Sequence, residues 1–405
     1  MAATFSPRLD PAFYDRVTAR LLPGLEAAGF DALLTDDPDD VAYLTGFFHH
    51  PSERPVAVWL AADGTLVLMT PELERENAAR QHSRAGLTVS YTEFPGLTPP
   101  FASLAAAVPR TRSAGHPAAG SRMRVGFTTQ MTTERLMAAT AAFPDAEFVP
   151  TTLVTEARYV KFDQEIVLHR EAARVTDLML EAGVALVNEA VAAHGVLPSE
   201  AELASHVTSL GVSTMYREHD DVIVVSPLAG GLVYAGANSA YPHGLPSGYR
   251  LRSGDTFMLS LGCAVGGRFV EGERTFVVGT PSDDQRRYHD TVRDAQARGG
   301  EAIRPGAECR EANATCLAVI RDAGLGEYLR HRQGHGIGLG MHEPPWLEAG
   351  DDTELKPGMV VSNEPGIYIP GHAGYRISDS MLVTETGSEP LTRYPRDLEH
   401  CTIEL

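Results

Sequence analysis

The sequence predicts an α/β domain followed by an α+β domain. Three observations support that split. Strand and helix signals alternate over the first 150 residues, a long amphipathic stretch opens at Asp163, and beyond Asp220 short apolar runs are joined by glycine-rich turns. The division falls at residues 1–156 and 157–405, and 405 residues with 43% hydrophobic content are enough for two cores.

In chain order, Ala32–Thr35 reads as a strand, and residues 56–61 and 65–69 flank Asp63-Gly64, a hairpin turn. Helical stretches at 71–82 and 132–143 surround a strand at 124–128, and a short strand at 147–149 precedes Pro150. The run 113–120 reads as a surface loop. Asp163-Gln164-Glu165 starts a helix whose apolar positions Ile166, Ala173, Leu180, Val184, Val187 and Val191 share one face. Strands follow at 222–225, 256–261, 269–278, 359–362 and 381–384, interrupted by helices at 283–298 and 311–323. This arrangement predicts a largely antiparallel sheet covered by helices.

A net charge of −19 repels phosphate backbones and anionic bilayers, so nucleic acid and membrane lipid are excluded as partners and a small molecule is expected. No apolar run approaches the roughly 20 residues of a spanning helix, and the start lacks a basic segment followed by an apolar one. A cytoplasmic protein is expected. Cys263, Cys309, Cys316 and Cys401 have no paired spacing and read as buried reduced thiols.

Groups able to work on a substrate concentrate in four segments of the second domain. Along 269–275 the alternation places Glu271, Glu273 and Thr275 on one strand face. Two carboxylates so placed are costly unless a metal, an amidinium group or an arginine lies between them, the alternative being a solvated outer face. His335 stands between glycines, where backbone can approach a ligand, and His342-Glu343-Pro344 follows. Glu364 ends an apolar strand, where a charge survives burial only when paired. His243, in Tyr241-Pro242-His243-Gly244, adds a second loop imidazole.

These segments, in this order, resemble the creatinase, aminopeptidase P and prolidase group, whose catalytic domain has the pita-bread fold. The resemblance covers most of the chain. It runs from Ala157-Arg158-Tyr159-Val160-Lys161 through Glu165, Gly254-Asp255 and Glu273-Arg274-Thr275-Phe276 to GHGIGLGMHEPP at 334–345 and SNEPG at 362–366. It ends with Tyr375-Arg376, Val383-Thr384-Glu385 and the tail 391–398. It implies an α/β N-terminal domain, an α+β pita-bread catalytic domain, and a hydrolase acting on C–N bonds.

Peptidases of this group hold two divalent ions with two Asp, one His and two Glu, donors that suit manganese, cobalt or zinc. Carried over one at a time, the first Asp falls on Ser260, the second on Glu271, the His on His335, the first Glu on Glu364 and the last Glu on Ser378. Two ligands have become neutral hydroxyls, so the expectation is that no metal cofactor is held. The chain here is similar to creatinase, which works without metal. That resemblance implies His243, Glu273, Glu364 and His335 as catalytic residues. Glu273 and Glu364 would hold an amidine-like group of a small amidino, guanidino or amide metabolite, while His243 moves the proton.

His342, Glu271, Ser260 and Ser378 are then candidates for substrate binding. Trp346 stands near where creatinase has the arginine that grips the substrate carboxylate, and Ser378 where it has a His, so creatine itself is not the expected substrate. Arg54 matches an arginine that reaches into a neighbouring subunit's site, which implies a homodimer. Two other readings stay open. A metal-dependent Xaa-Pro dipeptidase or aminopeptidase would hold a single Mn, Co or Zn ion on Glu271, His335 and Glu364, with Glu273 as a fourth candidate. An inactive pita-bread domain would serve only for binding. Arg274 is expected to anchor its strand rather than touch substrate.

Overall fold

The computed structural model describes residues 5–108 and 122–405; the loop expected at 113–120 lies outside them. Two compact units separate, one of residues 9–158 and one of 159–405 joined by the segment ending at Arg8.

The first unit is built on a six-stranded mixed sheet, ordered Leu87–Tyr91, Leu66–Pro71, Ala57–Ala61, Ala32–Thr35, Met123–Thr128, Ala146–Thr151. The Asp63-Gly64 hairpin forms as expected, because Gly64 takes φ +86° and Asp63 Oδ1 accepts from the Thr65 amide at 2.8 Å. Pro150 is tolerated within Ala146–Thr151 because that strand lies at the sheet edge. The helix Pro11–Ala28 was not expected. Its signals are the Asp10 side chain accepting from the Phe13 amide, and buried Phe13, Val17, Leu21 and Leu25 at intervals of four. Trp59 is core, stacked on Phe143 at 4.9 Å between centroids.

The second unit carries a sheet ordered Glu343–Leu347, Gly334–Gly336, Val360–Asn363, Ser378–Val383, Arg268–Val278, Thr256–Val265, Ala229–Ala235, antiparallel along this path. The helix Asp163–Ala192 packs against its long hairpin, Thr256–Val265 with Arg268–Val278; the helix Glu200–Glu218 packs against Ala229–Ala235, and the helix Asp283–Ala302 against Cys309–Asp322. The strand expected at 222–225 does not form. Val224 is 63% exposed, and pairing begins beyond Pro227, which has no amide proton to give a ladder. The helix Glu200–Glu218 was also not expected, although Ser199 and Glu202 cap it reciprocally.

Behind the sheet face that carries the site lies a buried polar frame. Arg274 donates to Asp379 at 2.9 Å and to the carbonyls of Glu273 and Ser378, as an anchor rather than a pocket residue. Asp379 also accepts from Gln296 at 2.7 Å and Thr392 at 2.7 Å, and Asn363 Nδ2 donates to the Gln296 carbonyl at 2.8 Å. The four cysteines are buried and free. Among the described residues no helix is long and apolar enough to cross a membrane.

Candidate active site

Antiparallel register sets the site. Ser260 lies opposite Glu273 in the long hairpin, and Ser378 lies opposite Glu273 on its other side. Side chains two apart share a face, so Ser260, Glu271, Glu273 and Ser378 converge. Val360–Asn363 ends just before Glu364, which delivers that carboxylate to the same region. Gly334–Gly336 lies between two strands in close contact: a Cβ on Gly334 would stand 2.1 Å from the Ser362 carbonyl oxygen, and one on Gly336 2.5 Å from that of Pro344. The flanking glycines therefore let His335 sit buried in the sheet, 1% exposed.

Of the three partners the sequence allowed for Glu273, the structure shows an arginine. Arg376 Nη2 donates to Glu273 Oε1 at 2.8 Å, its Nε donates to Oε2, and the Ser260 hydroxyl also donates to Oε1. Tyr234 accepts from Arg376 at 2.6 Å and Tyr368 at 2.9 Å. Burial opposes the charge on Arg376, but Glu273 outweighs it and holds the guanidinium firmly protonated.

Glu271 takes a hydrogen bond from Ser378 Oγ at 2.9 Å. His335 Nδ1 lies 3.0 Å from the Gly336 carbonyl, which can only accept, so Nδ1 carries a proton and Nε2 points inward. Nε2 has Glu364 Oε1 at 3.2 Å and Glu271 Oε2 at 3.7 Å, yet makes no hydrogen bond of good geometry. Burial and the neighbouring Glu364 push the Glu271 carboxyl up, to about 8. Although burial pulls the other way, the charges of Glu271 and Glu364 raise His335 to about 9, and His335 in turn holds Glu364 down at about 2 despite its burial. Two carboxylates and an imidazole thus face one another, and each answers to the charge of the others.

His342 stacks on His335 with centroids 3.8 Å apart, and burial together with His335 lowers it to about 4. One ligand atom from each of Glu271, His335 and His342 lies within 4.8 Å of the others. A cleft of about 660 Å³ opens over this cluster, lined among others by His243, Arg332, His335, His342, Glu364 and Arg376. His243 is exposed on its wall. Trp346 carries the Arg332 guanidinium over its ring at 4.2 Å, and Arg332 also pairs with Glu348 at 2.7 Å. Glu343 turns away to a buried pair with Lys161 at 3.1 Å. Arg54 belongs to the N-terminal unit, where it pairs with Glu53 and Glu93 at 2.6 Å each. Sequence reasoning missed Arg376, Tyr234, Tyr368 and Arg332 as site residues. The only available signal was the Tyr375-Arg376 string.

The family description Metallopeptidase family M24 matches residues 167–385, and Creatinase/Prolidase N-terminal domain matches 18–160. A Xaa-Pro dipeptidase of Lactobacillus delbrueckii subsp. lactis is 30% identical, over 93% of this chain and 96% of its own. Among solved structures, dipeptidase PepE from Mycobacterium ulcerans superposes with a TM-score of 0.82 at 28% identity, covering 98% of this chain and 100% of that one. The Xaa-Pro dipeptidase from Bacillus anthracis gives 0.79 at 30%, covering 95% and 99%.

These relationships overturn the metal-independent creatinase-like reading and, with it, the expectation of no cofactor: the relatives over nearly the whole chain are dipeptidases of a metallopeptidase family. The structure supplies a physical reason. Glu273, expected to hold a cationic substrate group, already has its cation in Arg376. The donor set fits one metal ion and not two, because Ser260 gives its proton to Glu273, Ser378 gives its proton to Glu271, and neither brings charge. The unpartnered Nε2 of His335 between Glu271 and Glu364 is the place where one ion fits. With the pita-bread architecture, the match over most of the catalytic unit and the near full-length likeness to dipeptidases, the chain belongs to metallopeptidase family M24, carries a creatinase/prolidase N-terminal domain, and is a hydrolase acting on C–N bonds.

Proposed function

We propose that this chain is a metal-dependent peptidase of the Xaa-Pro dipeptidase type, acting on short peptides through a reduced metal site on Glu271, His335 and Glu364. The observation that carries the reading is the inward, unpartnered Nε2 of His335 between two carboxylates, in a chain whose relatives over nearly full length are dipeptidases. A divalent ion bound there would polarise the scissile carbonyl and acidify water. The residues of the chain do the rest. The Gly336 carbonyl fixes the His335 ring, Ser378 orients Glu271, and Ser362 Oγ, 3.3 Å from Glu364 Oε1, steadies Glu364. His243 faces the cleft as a proton carrier or donor to the peptide, and the Arg332 guanidinium on Trp346 offers a cation to a free carboxylate.

The same reading includes a cytoplasmic setting, supported by four free buried thiols, and a homodimer with Arg54 offered across the interface. The test is hydrolysis of Xaa-Pro and proline-free dipeptides by chelator-treated protein with and without added Mn²⁺, Co²⁺ or Zn²⁺. Activity restored by one of these ions and lost in Glu364→Gln supports the reading. Full turnover of any such peptide after exhaustive chelation refutes it.

A further inference from the structure

We infer that this enzyme holds a single divalent ion per chain, with His342 as a ligand, and that Arg376 takes the place of a second ion. The inference rests on the metal-dependent reading above and goes further, to stoichiometry and to a ligand outside the positions carried over from the family.

The charge balance comes first. Glu271, Glu273 and Glu364 converge with one guanidinium, which takes both carboxylate oxygens of Glu273. That leaves Glu271 and Glu364 with only the His335 imidazole between them, and one divalent ion in place of its proton balances the two carboxylates. A second would bring two more positive charges beside a buried, immobile arginine, with only the neutral hydroxyls of Ser260 and Ser378 added to the donor set. Arg376 also bonds Ser260 Oγ at 3.1 Å, so it occupies the side of the site where the family's first Asp would stand.

The third donor follows from geometry. Glu271 and His335 reach one point from two strands, and His342 lies over His335 with a ring nitrogen within 4.8 Å of both partners' ligand atoms. His342 is exposed, whereas Ser260 and Ser378 are committed to the two glutamates. Glu271, His335 and His342 make a three-donor set for one zinc, cobalt or manganese ion, with Glu364 beside His335 at 3.2 Å.

The experiment is metal counting on the full chain. Chelator-stripped protein is titrated with Zn²⁺ and with Co²⁺ by calorimetry and elemental analysis, and the Co²⁺ visible spectrum is recorded, for wild type, His342→Ala, His342→Gln and His335→Ala. Circular dichroism confirms that each is folded. The expected result is one ion per chain, affinity lowered about tenfold or more in both His342 variants, and a changed Co²⁺ spectrum as one nitrogen donor is lost. Two ions per wild-type chain would overturn the inference and leave the metal-dependent peptidase standing. One ion with affinity and spectrum untouched by the His342 variants but lost in His335→Ala would overturn the role of His342. No ion bound at millimolar Zn²⁺, Co²⁺ or Mn²⁺ would overturn both readings.

Discussion

Replacing Arg376 with Met removes the only cation bonded to the Glu273 carboxylate among the described residues and leaves that carboxylate, in a residue 4% exposed, with Ser260 alone to donate to it. Breaking a buried pair from one side costs roughly 3–5 kcal/mol, because the surviving charge keeps its desolvation penalty without its partner. For a unit of this size, at about 2–4 °C per kcal/mol, the catalytic unit should melt about 6–20 °C lower. The double variant Glu273→Gln/Arg376→Met removes both charges and should recover most of that loss. Differential scanning calorimetry of chelator-treated wild type, the two single variants and the double variant closes the cycle, with the N-terminal unit's transition as an internal reference. If Arg376→Met melts within 2 °C of wild type, roughly 1 kcal/mol, or if the double variant is as unstable as the two single losses added together, then Arg376 does not neutralise Glu273 and the charge balance of the site is wrong.

Three further outcomes are expected. Burial lowers His169 to about 3 and His289 to about 4; each is neutral in the fold, so its stabilisation is complete above the unfolded value near 6.5 and is lost as pH falls toward the folded one. Together they should cost several kcal/mol by pH 4, at roughly 1.4 kcal/mol per unit per group, and His289→Gln should flatten the melting profile between pH 6.5 and 4; an unchanged slope would refute this. Gly334→Ala places a Cβ 2.1 Å from the Ser362 carbonyl, so melting should fall by several degrees and dipeptide hydrolysis should drop sharply; wild-type melting would refute the close approach. Lys161→Met removes the buried cation paired with Glu343 and should cost roughly 3–5 kcal/mol in thermal or denaturant unfolding, against well under 1 kcal/mol for Arg84→Met, whose pair with Asp15 is at the surface.

What the sequence made legible was local. Asp63-Gly64, the Asp163 helix start and the period-two placement of Glu271 and Glu273 all depend on neighbours within a few residues, and each appears in the structure. The two-domain division and the pita-bread group were legible from ordered motifs. Pairings across long stretches of chain were not. Arg376 meets Glu273 from 103 residues away, and Arg332 reaches Trp346 from the loop before Gly334–Gly336. The metal-free expectation failed for that reason: the lost charges at Ser260 and Ser378 were visible in the sequence, whereas the withdrawal of Glu273 into an arginine pair, leaving Glu271 and Glu364 exposed to each other, was visible only in three dimensions. The segment 222–225 misled through composition, since Val224 is exposed and Val222 and Val225 are only half-buried.

The polar frame behind the sheet has a consequence for how such a site can change. Glu273, Glu364 and Ser378 each sit beside a chain neighbour, Arg274, Asn363 or Asp379, whose side chain belongs to the Gln296-centred network on the reverse face or adjoins it. Strand alternation thus uncouples two inheritances, one for holding the fold and one for choosing donors. Acidic ligands can drift to hydroxyls on the working face while every bond on the far face stays intact, so a lineage can rewrite its inorganic chemistry without first rebuilding its architecture.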